Sequence, residues 1–262
     1  MLASTKVFHE QRSYGRVSLG VERQGLQIMR ETGAAKVRFL QDVNQAILIN
    51  TGGGLAGGDD FGFDIRAGVD AKLSVTSQTA ERVYRTLGPA SVVHTTLIAS
   101  DNATLFWLPQ ETILFDGSAL RRKLDVELSA SARFLAVEPV ILGRSEMGEV
   151  ISHVRFHDRW RVRREGKLVF ADDIALSGPA PKSKATFNGA SAVATLVYVG
   201  VDAEMMLDGV RQAIDDGGDA SAWNGKLVAR IVVKDGFELR KALIPALCAI
   251  AGADALPKVW TF

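Results

Sequence analysis

The chain has 262 residues, of which 47% are hydrophobic and 23% charged, a composition typical of a globular protein with a sizeable core. Its 31 basic and 30 acidic residues leave a net charge of +1, which argues against a nucleic-acid binder and against electrostatic docking on a membrane. The single cysteine, Cys248, excludes an internal disulfide and a Cys-paired zinc site, and it fits a reducing compartment. Met1 to Arg12 contain no apolar signal segment, and no run of about 18 apolar residues occurs. We therefore expect a cytoplasmic protein without a membrane span.

Alternating apolar and polar residues predict half-buried β-strands along most of the chain. In chain order, these segments are Val17 to Val21, Phe61 to Ile65, Leu73 to Val75, Leu124 to Leu128 and Trp160 to Val162. Ala46 to Ile49 and Phe134 to Val137 are more continuously apolar, which predicts strands covered on both faces. The residues from Arg164 to Lys167 predict a hairpin turn. Many short strands separated by glycine turns favour a sandwich, a barrel or a β-solenoid.

The last quarter of the chain predicts helices. Asp202 is the expected N-cap of a first helix, whose apolar stripe consists of Met206, Val210 and Ile214. Phe237 to Ala251 predicts a second helix, which Pro245 should kink or restart, and a strand is expected between the two helices. No exact repeat is visible. The chain is therefore interpreted as one domain over residues 1–262, with a β-rich body (13–200) and an α/β C-terminal part (201–262).

The glycine stretch Gly52 to Gly57 formally satisfies the pattern G-x-G-x-x-G after a strand, which leaves an NAD(P)-binding oxidoreductase as an alternative. That fingerprint requires a helix to begin at the glycines, whereas the residues up to Ile65 alternate with period two. Asp59 and Asp60 would also lie where the phosphate belongs. Two interpretations stay open: a tight turn between strands with no further role, and a turn that presents the two aspartates at a metal path or an interface.

A histidine pair and two carboxylates in apolar runs are further candidates for a metal or catalytic site. His153 and His157 are four residues apart, which would suit a metal ion on a helix, but their surroundings predict a strand, on which such positions lie ~13 Å apart. A solvated or partner-facing strip is favoured there. Glu111 and Glu138 lie in apolar runs, where a carboxylate needs a partner, a proton or a cation. No G-x-S-x-G elbow is present, and no catalytic constellation is assembled, so we do not expect an enzyme.

Five segments, taken together, resemble in order and spacing the signatures of the urease accessory protein UreD (UreH) family. They are Asn50–Asp59, Thr76–Arg85, Trp107–Gly117, Leu142–Glu149 and Trp160–Asp172. Signature positions that match in this chain, besides Asp59, Glu81, Glu111 and Glu149, are Gly52, Gly53, Gly54, Gly57, Gly58, Tyr84, Arg85, Trp107, Pro109, Gln110, Asp116, Gly143, Arg144 and Gly148.

The resemblance implies a non-enzymatic scaffold of urease maturation, with a distorted, layered β-helix or sandwich-like β domain and a few C-terminal helices. It implies binding to the apo-urease structural subunits and to a UreF-type protein, and through UreF to the nickel-carrying GTPase UreG. It also implies transient nickel(II) in an internal tunnel, with no tightly bound cofactor. Scattered carboxylates would hold a divalent ion loosely enough for release. The expected nickel path consists of Asp59, Asp60, Glu81, Glu111, Glu138 and Glu149; a metal-free β interaction module remains an alternative.

Overall fold

Two large β-sheets dominate the computed structural model, which describes residues 12–144, 147–183 and 186–260. In chain order the strands of the body are β1 (Tyr14–Glu22), β2 (Gly25–Gly33), β3 (Ala35–Leu40), β4 (Gln45–Asn50), β5 (Asp60–Ala67), β6 (Lys72–Ser77), β7 (Glu81–Val83), β8 (Ser91–Ala99), β9 (Thr104–Trp107), β10 (Thr112–Leu114), β11 (Ala119–Leu128), β12 (Arg133–Leu142), β13 (Val154–Arg164) and β14 (Lys167–Gly178). The C-terminal part adds β15 (Ala192–Val199), α1 (Leu207–Ile214), β16 (Gly218–Trp223), β17 (Lys226–Val233) and α2 (Gly236–Ala251).

The chain winds from one sheet to the other and back, so that successive coils stack. In the first sheet, β1, β5, β8, β11 and β13 are parallel neighbours, and in the second sheet β4, β6, β9 and β12 are parallel neighbours. Side chains separated by 31 residues therefore meet, as Trp107 and Glu138 do. This is a mainly β, solenoid-like structure with a few helices at its C-terminal end, which confirms the predicted fold class. The coil repeats in space although the sequence shows no exact repeat.

Antiparallel strands close the stack. β2 pairs with β1 at one edge of the first sheet, and β14 pairs with β13 at the other edge. The β13–β14 connection has positive φ at both central residues, Glu165 (51°) and Gly166 (69°), which is the type I′ geometry of two-residue hairpins. The hairpin predicted between Arg164 and Lys167 is confirmed.

The hydrophobic core has two parts, one on each face of the second sheet. The larger part fills the space between the sheets and includes Phe61, Leu105 and Trp160. The smaller part lies between the second sheet and the C-terminal helices and includes Tyr198 and Trp260. Because β12 lies between both parts, residues 134–140 are buried without alternation, as the continuous apolar run predicts.

The C-terminal helices agree with the sequence in position and differ in detail. A 3-10 turn over Ala203–Met206 precedes α1, and Asp202 gives no capping hydrogen bond. The Asp202 carboxylate instead accepts hydrogen bonds from Tyr198 and Arg133, so the predicted cap was wrong. In contrast, Asp235 caps α2, because its carboxylate accepts hydrogen bonds from the N–H groups of Phe237 and Glu238 in the first turn of that helix. α2 continues through Pro245 without a restart.

None of the helices among the described residues is both long and apolar enough to cross a lipid bilayer.

Candidate functional site: a polar cavity inside the solenoid

The glycine stretch forms the turn between β4 and β5, and the chain continues as a strand. No helix begins within this described segment, so the dinucleotide-binding alternative is contradicted by the fold. Gly54 has a φ of +148°, and an added Cβ would lie 2.4 Å from the Tyr84 ring and 2.8 Å from the carbonyl oxygen of Arg82. Only glycine fits this position, because the turn lies directly against the next coil.

Asn50 fixes the turn and connects it to the interior. Its Oδ1 accepts from the N–H of Gly52 (2.9 Å), and its Nδ2 donates to the carbonyl oxygen of Gly54 (3.0 Å). The same Nδ2 lies 3.2 Å from both carboxylate oxygens of Glu81 on the next coil. Asn50 therefore links the glycine turn to the carboxylate of Glu81, which lines the interior of the solenoid.

Asp59 and Asp60 have separate structural partners. The buried Asp59 accepts hydrogen bonds from the N–H groups of Ser13 (2.7 Å) and Ala56 (2.8 Å). The exposed Asp60 forms an ion pair with Arg16 at 2.6 Å. Neither aspartate lines the interior cavity described next. Both hold the N-terminal strands to the turn.

A cavity of about 90 Å³ lies between the two sheets, with room for several water molecules. Its polar lining comprises Asn50, Glu81, Gln110, Arg122 and Glu138, among other residues. A second cavity of about 80 Å³ lies beside the glycine turn and is lined by Gly53 and Gly54. Asn50 and Glu81 line both cavities, so they stand between the turn and the interior.

Burial changes the protonation of Glu81. Desolvation raises the pKa of its carboxyl from 4.5 to about 7, against the opposing effect of the Asn50 hydrogen bond. Near neutral pH this side chain can therefore be either a neutral acid or a carboxylate. A carboxylate at this position can hold a cation, and the neutral acid can release it.

The deep end of the cavity contains a buried cluster of one arginine and two carboxylates. Arg122 donates from Nε (3.1 Å) and Nη2 (2.7 Å) to the two oxygens of Asp158, and from Nη1 to Thr112 Oγ1 (3.0 Å). Glu138 Oε1 accepts from Trp107 Nε1 (2.8 Å). All these charged groups are less than a tenth exposed. One positive charge thus faces two carboxyl groups in a desolvated setting.

The other oxygen of Glu138 lacks a donor among the described residues. Oε2 lies 2.8 Å from Arg122 Nε, but that N–H points at Asp158, and Oε2 has no hydrogen-bond partner. Burial raises the pKa of Glu138, and the charge of Arg122 opposes the rise without cancelling it. Glu138 thus lines the cavity with an oxygen that is ion-paired with Arg122 but accepts no hydrogen bond from the described residues.

Glu111 joins the body to the C-terminal helices. Its Oε1 lies 2.6 Å from Arg240 Nε of α2, and Arg240 also donates to Gln110 Oε1. Arg240 lies over the ring of Trp260 at 5.3 Å, and the indole Nε1 donates to the carbonyl oxygen of Leu108 (2.9 Å). Pro109 and Gln110 line the cavity at this junction, and Gln110 Nε2 has no hydrogen-bond partner among the residues that the structure describes.

The remaining signature residues form one corner of the solenoid. Asp116 accepts from the N–H and hydroxyl of Ser152 and pairs with Arg85, and these bonds, led by that of the Ser152 hydroxyl, hold the pKa of Asp116 well below its ordinary range. Glu149 pairs with Arg144 at 3.0 Å, which lowers the pKa of Glu149.

Tight turns and ring contacts complete this corner. Gly143 and Gly148 adopt positive φ there, which favours glycine. Tyr84 contacts Phe115 edge-on, with ring centroids 5.4 Å apart. Ser145 and Glu146 of the fourth signature segment lie outside the described residues.

The histidine pair lies on an outer surface, as the strand interpretation predicts. His157 belongs to β13, His153 immediately precedes it, and both are exposed. Among the described residues, no group of three or more His, Cys, Asp or Glu side chains is arranged to hold a metal ion. A tight metal centre is therefore not formed by the part of the chain that the structure describes.

The sequence analysis missed Arg122 and Asp158. A usable signal was present, because period-two alternation places Arg122 on the same buried face as Leu120 and Leu124. Asp158 likewise falls between Phe156 and Trp160 on the inward face. A charge at an inward position of a strand requires a buried partner. Arg122 and Asp158 are each other's partner.

The fold and the site together define a β-solenoid protein whose carboxyl, amide and guanidinium side chains line an interior cavity. A family model described as UreD urease accessory protein matches residues 13–261. The chain belongs to the UreD urease accessory protein family.

Similar proteins carry the same name. A urease accessory protein UreD of Rhizobium leguminosarum bv. trifolii is 43% identical over 261 residues, which cover 95% of this chain and 96% of the relative. Those of Agrobacterium fabrum and Sinorhizobium medicae are 42% and 39% identical and cover 96% of this chain, with 92% and 96% of the relatives covered. Family membership implies a role in urease maturation, and members are accessory proteins, not enzymes.

Proposed function

We propose that this chain is a scaffold that binds apo-urease and passes nickel(II) to its active site through the interior of the solenoid. Nickel is the cargo in this proposal and is not a resident cofactor. The observation that carries it is the polar lining that continues from the glycine turn, past Glu81, to the carboxyl group of Glu138.

The chemistry of this lining suits transit better than storage. Carboxylate and amide oxygens bind a divalent ion without the affinity of His or Cys ligands. Glu81 and Glu138 both have a raised pKa, so each can exchange a proton for a cation near neutral pH. We concentrate the proposed path on these two residues, since both line the interior cavity, whereas Asp59, Glu111 and Glu149 do not.

The partners proposed are apo-urease, a UreF-type protein and, through it, a UreG-type GTPase in the cytoplasm. Support comes from family membership alone for these names. The surface offers apolar side chains that a partner could cover, such as Met147, Val150 and Phe237, each about three-quarters exposed. Met147 and Phe237 line the same surface pocket, and neighbouring exposed apolar side chains are typical of protein interfaces.

The test replaces each path carboxylate by its amide in cells that express the urease operon. Glu81→Gln and Glu138→Gln are expected to give urease of low nickel content while the accessory complex still co-purifies. The matched control is Glu127→Gln, a carboxylate on the outer face of β11 that accepts from the N–H of Gly166. Nickel per urease active site, measured by mass spectrometry, and pull-down of apo-urease are the two readouts.

The outcomes separate the candidate functions. Full nickel loading by both path variants would exclude the conduit and leave a metal-free interaction module. Failure of the wild-type chain to pull down apo-urease would exclude the proposed scaffold function. Equal nickel loss in the Glu127 control would show that the effect does not depend on the cavity.

A further inference from the structure

The outer face of the first sheet carries a row of basic side chains that the proposed nickel path does not use. Because the parallel strands are in register, Arg16 of β1 aligns with Gly62, His94, Lys123 and Arg159 on the next four strands. We call Arg16, His94, Lys123 and Arg159 the basic row. Neighbouring strands are ~4.8 Å apart, so the row crosses the sheet over roughly 20 Å at right angles to the strands.

Gly62 does not interrupt the row. The side chain of Arg16 extends over it, and a Cβ added to Gly62 would lie 2.7 Å from Arg16 Cδ. Arg16 is held there by Asp60, whose carboxylate is 2.6 Å from Arg16 Nη2. The missing side chain on β5 thus gives a cation from β1 room to lie toward β8.

Two members of the row are paired with neighbouring carboxylates, Arg16 with Asp60 and His94 with Asp125. Asp125 lies 3.1 Å from His94 Nε2 and 4.0 Å from Arg163. Asp173 lies opposite the end of the row but pairs with Arg161 at 2.6 Å and with His157 at 3.0 Å. Neither of these two carboxylates forms an ion pair with Lys123 or with the Arg159 side chain.

Lys123 and Arg159 are therefore adjacent like charges without compensation. They occupy directly paired positions on β11 and β13, and neither has an ion-pair partner among the described residues. The Nε of Arg159 is buried and has no hydrogen-bond partner among the described residues. Like charges opposite each other destabilise a sheet, so this arrangement is costly to the fold and calls for an external anion.

We propose that the basic row binds an acidic α-helix of a partner protein, lying across the strands. Carboxylates three and four residues apart on a helix are ~5–6 Å apart, which is close to the strand spacing that sets the distance between cations in the row. The net charge of +1 argues against a nucleic acid as the occupant. The inference does not rest on the nickel path.

The experiment uses the full chain and a synthetic probe. The probe is a fluorescent, alanine-rich helical peptide with glutamates along one face, compared with a peptide of the same composition whose glutamates are distributed on all faces, and with a short DNA duplex. Fluorescence anisotropy at low and at physiological salt gives the dissociation constants. The test variant is Lys123→Gln/Arg159→Gln. The matched control is Arg30→Gln/Arg38→Gln, which removes the same charge from exposed positions of β2 and β3.

The one-face peptide should bind the wild-type chain, and the test variant should bind it ~10-fold more weakly, while the control stays within about twofold of wild type. The melting temperature of the test variant should equal or exceed that of wild type, because a repulsion has been removed. Unchanged peptide binding by the test variant would overturn the proposal. An equal loss in the control, or equally tight binding of the distributed peptide or of DNA, would overturn it as well.

Discussion

Replacing Arg122 by methionine tests whether the buried cluster stabilises the solenoid through its charges. The guanidinium donates two hydrogen bonds to Asp158 and one to Thr112, and its charge opposes the burial of Glu138. Methionine preserves most of the stem and fills space without a polar atom. The change leaves two carboxyl groups in the core with only the indole donors of Trp107 and Trp160.

The expected loss follows from these contacts. Removal of one partner of a buried ion pair costs about 3–5 kcal/mol. Counting instead the two bonds lost by Asp158, at about 1.5–3 kcal/mol for each bond to a charged group, gives about 3–6 kcal/mol. Both routes agree, and for a chain of this size such a loss lowers the melting temperature by roughly 6–20 °C.

The pH dependence of this variant gives an independent check. Without Arg122, the pKa of Glu138, which burial already raises, rises further. The folded variant then binds more protons than the unfolded chain, so its free energy of unfolding increases as the pH falls from 8 toward 5. Urea unfolding followed by circular dichroism at several pH values measures both effects.

A second variant distinguishes charge from packing. Arg122→Met/Asp158→Asn removes the stranded carboxylate, and we expect it to be less destabilised than Arg122→Met alone. The reasoning is refuted if Arg122→Met costs under about 1 kcal/mol, well below the cost of breaking a buried ion pair. It is also refuted if the double variant loses the sum of the two single losses, because coupled partners are not additive.

Three further predictions concern single side chains. The rise of the Glu81 pKa from 4.5 to about 7 corresponds to about 3 kcal/mol of stability that is present below pH 4.5 and lost as the pH rises to 7. Glu81→Gln should remove this pH dependence of the free energy of unfolding, measured by urea titrations between pH 4 and 8. An unchanged dependence of that free energy on pH would contradict the prediction. Gly54→Ala, which drives a Cβ into Tyr84, should cost more than about 2 kcal/mol, whereas Gly53→Ala, in open space at a φ of +74°, should cost about 1 kcal/mol; equal thermal melts would contradict the packing argument. Asp235→Ala should cost about 1 kcal/mol through loss of the α2 cap, and a loss below about 0.3 kcal/mol in chemical denaturation would show that tertiary packing alone fixes that helix end.

Much of the secondary structure could be predicted from local patterns. In β5 and β11, apolar residues alternate because one face of each strand meets the core, and period two in the sequence records that burial directly. The hairpin after Arg164 was predictable because Glu165-Gly166 suits a turn with two positive φ values. Asp202 was a misleading signal, since a nearby Tyr198 hydroxyl and an arginine compete for the carboxylate that a cap would use.

The candidate site was only partly predictable. The family signatures brought out Glu81 and Trp107 as single positions, and the apolar run around Glu138 brought out that residue. The predicted roles of Asp59, Asp60, Glu111 and Glu149 in nickel transit stay predictions. The cavity depends on contacts between coils, such as that of Asn50 with Glu81, 31 residues apart. Arg122 meets Asp158 across 36 residues. Alternation tells which face a residue occupies, but not which residue of the next coil lies beside it.

By itself, the sequence determined that this protein is built from short strands, that its glycine stretch is a turn, and that it belongs among urease accessory proteins. Those properties are encoded locally, in residue period, turn chemistry and motif order. Only the tertiary structure decided that Arg122 lies between Asp158 and Glu138 in the interior and that Arg16, His94, Lys123 and Arg159 form a row. Parallel stacking sets the register between coils, and register alone decides which distant charges become neighbours.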